Sequence, residues 1–277
     1  MADTGQTLPD FGNPPVVETV LGVEFAPLSK WGIPHFGLFW HEIRGEYSRF
    51  EVQPALASQI ERFDRPSKLS PTATVEFLAL AQLPIRCWFV HHSETRLLQV
   101  QNDRFIHNWR KVGTAEAYPH YENIRPIFSQ EWTRFHEFLQ TQGIGTPDVR
   151  QCEISYINQL DPGKGWQTLA DLGDVIGTRV GASSDQFLPM PENLNLTTSY
   201  VLPGEQGRLH VQLQSVIRHA DAQETLQLTL TARGRPPSSE LADLLCWFDR
   251  GREWVVRGFA DFTTPRMHAL WQRKKRT

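Results

Sequence analysis

Chemistry-bearing side chains crowd most densely into residues 99–111, QVQNDRFIHNWRK. The carboxamides Gln99 and Gln101 are followed by Asp103, Arg104, His107, Trp109, Arg110 and Lys111. Nucleophilic or acid–base catalysis needs a base beside a nucleophile, or paired carboxylates, and the spacing of Asp103, Arg104 and His107 matches neither. Arg104, Arg110 and Lys111 with Trp109 and Tyr118 do supply the parts for gripping a nucleic-acid strand, cations for phosphate and rings for stacking. Strand alternation offers a third reading. Leu97, Gln99 and Gln101 share one face while Arg96, Leu98 and Val100 share the other, and Phe105, His107 and Trp109 alternate with Ile106 and Asn108. The segment then forms two neighbouring strands with a buried side and a polar side. Gln99, Gln101, Arg104, His107, Trp109, Arg110 and Lys111 are the expected binding surface, and no catalytic residue is assigned.

Other candidates carry less chemistry. His91 and His92 are adjacent, so on a strand their rings point to opposite faces and cannot share an ion, one buried and one exposed. His136-Glu137 lacks the HExxH spacing of a zinc helix. Glu18, Glu24, Glu153 and Asp161 read as carboxylates on the polar sides of strands. The stretch DPGKGW has the composition of a phosphate loop without its flanking Ser/Thr or strand–helix setting, and reads as a turn. Cys87, Cys152 and Cys246 are far apart and odd in number, with no CxxC spacing. They imply no metal site, no cofactor and a reducing, cytoplasmic setting.

These side chains need elements to position them, and the composition allows a full core. The chain has 277 residues, 40% of them hydrophobic, with a net charge of −3. That balance supplies no strong field to draw in a polyanion. Only QRKKRT at the C-terminus is a compact basic run. The opening MADTGQTLPDFGNPP has neither a basic start nor an apolar run, and no stretch reaches the length of a bilayer span, so no membrane is expected as partner.

Alternation in VVETVLGVEF predicts a strand, and Phe36, Phe39, Trp40, Ile43 and Tyr47 fall at helical spacing after it. RCWFVHH, TRLLQVQ and RFIHNWR predict a three-strand meander, linked by Ser93-Glu94 and Asn102-Asp103. Tyr121, Ile124, Phe128, Trp132, Phe135 and Leu139 predict a long helix that Gly143 stops. The second half repeats that order. VRQCEISYINQL predicts a strand, WQTLADLGDVI a short helical piece, and NLTTSYVL, RLHVQLQSVIRH and TLQLTLTAR a second meander. A last helix, with Ser238 or Ser239 as its cap, carries Leu241, Leu245, Phe248, Arg252, Val255 and Phe259 on one stripe, widened by Leu244, Trp247 and Val256.

The expected fold is therefore α+β, with two similar lobes. Each runs strand, helix, three-strand antiparallel meander, long helix, and the two can share one curved sheet. The expected boundaries are a flexible leader at 1–13, lobes at 14–146 and 147–265, and a basic tail at 266–277.

NPPVVETVLGVEF, LLQVQNDRFIHNWRK with YPHYENI after it, and WFDRGREWVVRGFADFTTPRMHALW together resemble a sporadically distributed family of uncharacterised bacterial proteins. The resemblance implies no catalytic residues. Its patchy distribution is of the kind seen for accessory genes of defence and toxin–antitoxin loci.

The functional expectation is a non-catalytic binding or scaffolding protein with a protein partner. A nucleic-acid-binding saddle is the alternative, since the element order resembles the duplicated fold of TATA-box-binding proteins. A hydrolase or nuclease using His107 or His91, and a small-ligand cavity between sheet and helix, are further readings.

Overall fold

A computed structural model describes residues 7–63, 85–113, 116–177, 191–218 and 221–274. The Pro/Ser cluster at 66–71 and most of the loop expected at 177–192 lie outside them.

The fold is α+β. In the first half, β1 (Val16–Phe25) is followed by α1 (Ile33–Ile43), β2 (Arg49–Pro54), β3 (Ile85–Val90), β4 (Arg96–Gln101), β5 (Arg104–Arg110) and α2 (Tyr121–Thr141). In the second half, β6 (Val149–Leu160) leads through a single 3-10 turn into the short α3 (Leu172–Val175). Then come β7 (Asn195–Val201), β8 (Arg208–Ile217), β9 (Glu224–Gly234), α4 (Leu241–Phe262) and α5 (Pro265–Leu270). The nine strands of the described residues form one antiparallel sheet in the order β2-β3-β4-β5-β1-β6-β9-β8-β7. Both halves of the chain thus share a continuous sheet, joined where β1 pairs β6 from Val16↔Asn158 to Phe25↔Val149.

The helices cover one face. Phe105 of β5 lies 5.0 Å from Phe135 of α2, and Phe89 of β3 lies 5.7 Å from Phe39 of α1. Phe128 of α2 meets Phe248 of α4 edge-on at 4.9 Å, which ties the helical layer together. Every residue of the expected α2 stripe is buried. Each such aromatic contributes roughly 1.5–3 kcal/mol over an exposed one, so this layer and not local propensity fixes the helix. On α4 the buried line runs Leu244, Phe248, Gly251, Val255, Phe259, while Leu241, Leu245 and Arg252 sit beside it. The stripe turns toward Gly251 because a Cβ there would stand 2.7 Å from Ile154 Cγ2, so glycine sets how closely α4 approaches β6.

Several elements differ from the sequence expectation. RFEVQP forms an edge strand, β2, that its composition does not announce. β3 ends at Val90, so His91 and His92 stand in the turn with ring centroids 3.9 Å apart rather than on opposite strand faces. Alternation of side chains holds only while the chain stays extended. The residue before α4 is Glu240, without a side-chain cap; Ser239 Oγ instead accepts from Val149 N at 3.0 Å. Residues 11–13 and 271–273 are pinned to each other. Phe11 is buried against Phe259 and Trp271, and Gly12 N and Asn13 N donate to the Gln272 and Trp271 carbonyls. Residues 10–13 and 271–274 are therefore structured, where a leader and a tail were expected.

Candidate functional site

The pleat sorts the residues of the 99–111 segment onto two faces. Register pairs Gln101 with Arg104 and Gln99 with Ile106, and these point away from the helices; Leu98 pairs with His107 toward them. Gln99, Gln101, Arg104 and Arg110 therefore share the outer face. His107 and Trp109 lie inside the core at 0% and 5% exposure, and Lys111 follows the strand, exposed. The segment does not present one surface.

Inside, His107 Nδ1 stands 2.6 Å from Glu131 Oε2, and the Tyr47 hydroxyl bonds the other oxygen of the same carboxylate. Burial first, then the Glu131 charge, pushes the Tyr47 phenol far above its ordinary range. His107 Nε2 is buried without a hydrogen-bond partner. This cluster joins α2, β5 and the chain after α1, under the helical layer. Trp109 packs edge-on to Tyr118 at 5.5 Å.

Outside, a relay of hydrogen bonds crosses four strands. Arg86 Nη1 and Trp88 Nε1 donate to Gln99 Oε1 at 2.6 and 3.0 Å. Gln99 Nε2 donates to Asn108 Oδ1 at 2.7 Å, and Asn108 Nδ2 to Glu18 Oε1 at 2.5 Å. Burial pushes the Glu18 carboxyl up, against the Asn108 bond and the Arg110 charge. Arg86 differs from its neighbours. Among the described residues no carboxylate pairs with it, and burial and the nearby Arg104 charge pull its guanidinium down; its Nε, like that of Arg104, is buried without a partner. The other arginines of this face are paired: Arg104 with Glu24 at 2.6 Å, Arg49 with Glu94 at 2.7 Å, and Arg233 with Glu153.

Residues 55–63 leave β2 and run across this outer face, from β4 to β8, without regular secondary structure. Two carboxamides hold their main chain. Gln101 Oε1 accepts from Leu56 N at 2.9 Å, and Gln101 Nε2 donates to the Leu56 carbonyl at 3.1 Å. Gln151 Oε1 accepts from Glu61 N at 2.8 Å, and Gln151 Nε2 donates to the Gln59 carbonyl at 3.0 Å. Between them Arg104 Nη2 reaches the Ala57 carbonyl at 3.3 Å and Ser58 Oγ bonds Glu24. At the far end Glu61 enters a cationic notch, pairing with Arg208 and with His210 Nε2 at 2.5 Å. Burial would raise the Glu61 carboxyl, but the bonds and charges of His210 and Arg208 outweigh it and hold it below the usual range. Arg208 also lies 4.9 Å over the Phe63 ring.

Of the expected surface, Gln101 and Arg104 touch this crossing segment directly, and Gln99 belongs to the adjacent relay. Arg86, Asn108, Gln151, Arg208 and His210 escaped the sequence reading, as did Glu61. The strand residues among them stand at outward positions of a strand, a signal that alternation carries; Glu61 has no such signal because its segment has no period.

A separate hollow of about 60 Å³ lies on the helical side, lined by Phe11, Tyr118, His120, Tyr156, Arg252 and Val255 among others. Tyr118 Oη donates to Tyr156 Oη at 2.9 Å there. Among the described residues no three His, Cys, Asp or Glu side chains converge as a metal site would require, and no helix is long and apolar enough to cross a membrane. Comparison with protein-family models, with curated proteins and with solved structures finds no match.

Proposed function

We propose that this chain is a non-catalytic binding module whose outer sheet face receives a segment of a protein partner. One observation carries the reading: Gln101 and Gln151 each spend both ends of a carboxamide on the main chain of an extended segment. Main-chain N–H and C=O groups are common to every polypeptide, so this grip is suited to peptide, with flanking charged side chains supplying selectivity. The titratable cluster that could serve catalysis, His107 with Glu131, is sealed beneath α2. The pairing of Arg49, Arg104, Arg208 and Arg233 with carboxylates argues against the nucleic-acid saddle, since a polyanion would meet Glu18, Glu24 and Glu153 on the same face. The reading also takes the two halves as an internal duplication, β1-α1-meander-α2 repeated as β6-α3-meander-α4.

The test is to pan a linear-peptide display library against the wild-type chain and, in parallel, against Glu61→Lys, which weakens the hold on residues 55–63. Enrichment on either chain of peptides that are lost with Gln151→Ala supports the proposal. No Gln151-dependent peptide on either chain, or salt-released nucleic acid as the only retained material, overturns it.

A further inference from the structure

Resting on that reading, we infer that the groove across the outer face is a site for an extended peptide with an acidic side chain at the place Glu61 takes, and that residues 55–63 are its occupant in cis, so that an external ligand binds by replacing them.

Apart from Ser58 Oγ on Glu24 and the Phe63 ring under Arg208, the contacts that hold residues 55–63 fall into two kinds. The first kind is indifferent to side chains: Gln101 on Leu56, Arg104 on the Ala57 carbonyl, and Gln151 on Gln59 and Glu61. Four main-chain groups are met by amides that stand on rigid strands β4 and β6, so the sites stay in register whether the segment is this chain's or another's. The second kind reads charge. Glu61 enters the notch of Arg208 and His210 with its side chain 9% exposed and Arg208 at 6%. A segment that covers the notch without an acid leaves a buried guanidinium beside an imidazole, which is costly unless a carboxylate takes that place. Selection at this position is therefore for Asp or Glu.

Arg86 extends the charge preference. It lies on β3, beside the path by which residues 55–63 leave β2, and has a buried Nε without an acceptor. Residues 55–63 bring Arg86 no carboxylate, although they satisfy Arg208. A ligand with a second acid toward its N-terminal end would meet both guanidiniums, whereas the internal segment meets one. The internal segment is an incomplete match for the groove, the relation expected of an occupant that must yield. Its advantage is tethering, because a segment joined to β2 competes at an effective concentration of about millimolar.

The test uses the full-length chain and a fluorescein-labelled peptide of residues 54–63, PALASQIERF, read by fluorescence anisotropy. Wild type carries its own copy and should bind the peptide weakly. Glu61→Lys sets a cation against Arg208 and His210, releases the internal copy, and should bind the peptide at least about tenfold more tightly. Adding Arg208→Ala to that chain should abolish the gain, and a peptide carrying the same Glu→Lys change should bind neither chain. Circular dichroism melts of each variant report folding, and Glu61→Gln, which keeps shape and removes charge, should give an intermediate affinity.

Equal, Gln151-dependent affinity for wild type and Glu61→Lys would overturn occupancy in cis while leaving the binding-module reading intact. Absence of peptide binding to a folded Glu61→Lys chain that still selects Gln151-dependent library peptides would overturn the acidic preference alone. Absence of every Gln151-dependent interaction would remove both.

Discussion

Gln101 and Leu56 exchange two hydrogen bonds, 2.9 Å from the Leu56 N–H to Oε1 and 3.1 Å from Nε2 back to the Leu56 carbonyl. A side chain here does what a neighbouring strand does elsewhere, satisfying both main-chain groups of one residue. Gln151 repeats the device on Gln59 and Glu61. The crossing segment is thereby fastened without joining the sheet.

That fastening is measurable by amide hydrogen exchange. The Leu56 and Glu61 amides should be protected although they lie outside every helix and strand, while amides of 55–63 with no acceptor exchange at near-random-coil rates. In Gln151→Ala the Glu61 protection should fall by roughly 2- to 10-fold, the equivalent of one hydrogen bond, with Leu56 changing less. Unprotected Leu56 and Glu61 amides in the wild type would contradict the crossing geometry.

Glu131 answers two donors at once, the Tyr47 hydroxyl and His107 Nδ1, with both partners buried. Glu131→Ala strands both groups and opens space beneath α2. It should cost about 3 kcal/mol in urea unfolding, read as a lower midpoint at constant slope. Glu131→Gln keeps an acceptor for one of the two and should cost less. A loss below about 1 kcal/mol for Glu131→Ala would place the cluster in contact with water.

His91 links stability to pH. The residue is 4% exposed, and burial followed by the charges of Arg96 and His92 pulls its pKa from 6.5 down to about 4, against the opposing pull of Glu46 and Glu131. Between those values the unfolded chain binds a proton at this residue and the folded chain does not, so stability falls as pH drops from 6.5 toward 4. Denaturation midpoints should decline across that window, and His91→Gln should flatten the decline. Glu61, held below the usual carboxylate range, adds its loss at the acid end of that window and below, so the upper part of the decline is the part that reports His91. A wild-type midpoint that is constant from pH 7 to pH 5 would exclude the His91 account.

What the sequence made legible was periodic. β1, β3 to β9 and the stripes of α2 and α4 all announce themselves by alternation or helical spacing, because each has one buried side. β2 does not, since RFEVQP stands at a sheet edge with no residue fully buried. Alternation even separated His107 and Trp109 from Asn108, but only the register Leu98↔His107 shows which parity faces the helices. The placement of Phe11 against Phe259 and of Glu61 against Arg208 depends on tertiary crossings between residues far apart in the chain. Nothing local encodes such a meeting. The candidate groove was therefore half visible, as outward glutamines and an arginine on β4 and β5, while its occupant and its far wall were not.

Gly251 tests how the helical layer is seated. A glycine in the middle of a 22-residue helix normally costs about 1 kcal/mol relative to alanine, so an exposed one would gain stability on substitution. Here the added Cβ would meet Ile154 Cγ2 at 2.7 Å and the Trp247 ring at 3.2 Å. Ile154 sits on β6, which pairs with β1 at the join between the two halves, so it has little room to retreat. Overpacking of this kind costs about 1–3 kcal/mol, enough to outweigh the propensity gain. Gly251→Ala should therefore lower the thermal midpoint, and Ile154→Val in the same chain should recover part of the loss by clearing space beside the new methyl. A rise in midpoint for Gly251→Ala alone would mean that α4 rides farther from the sheet than this contact requires.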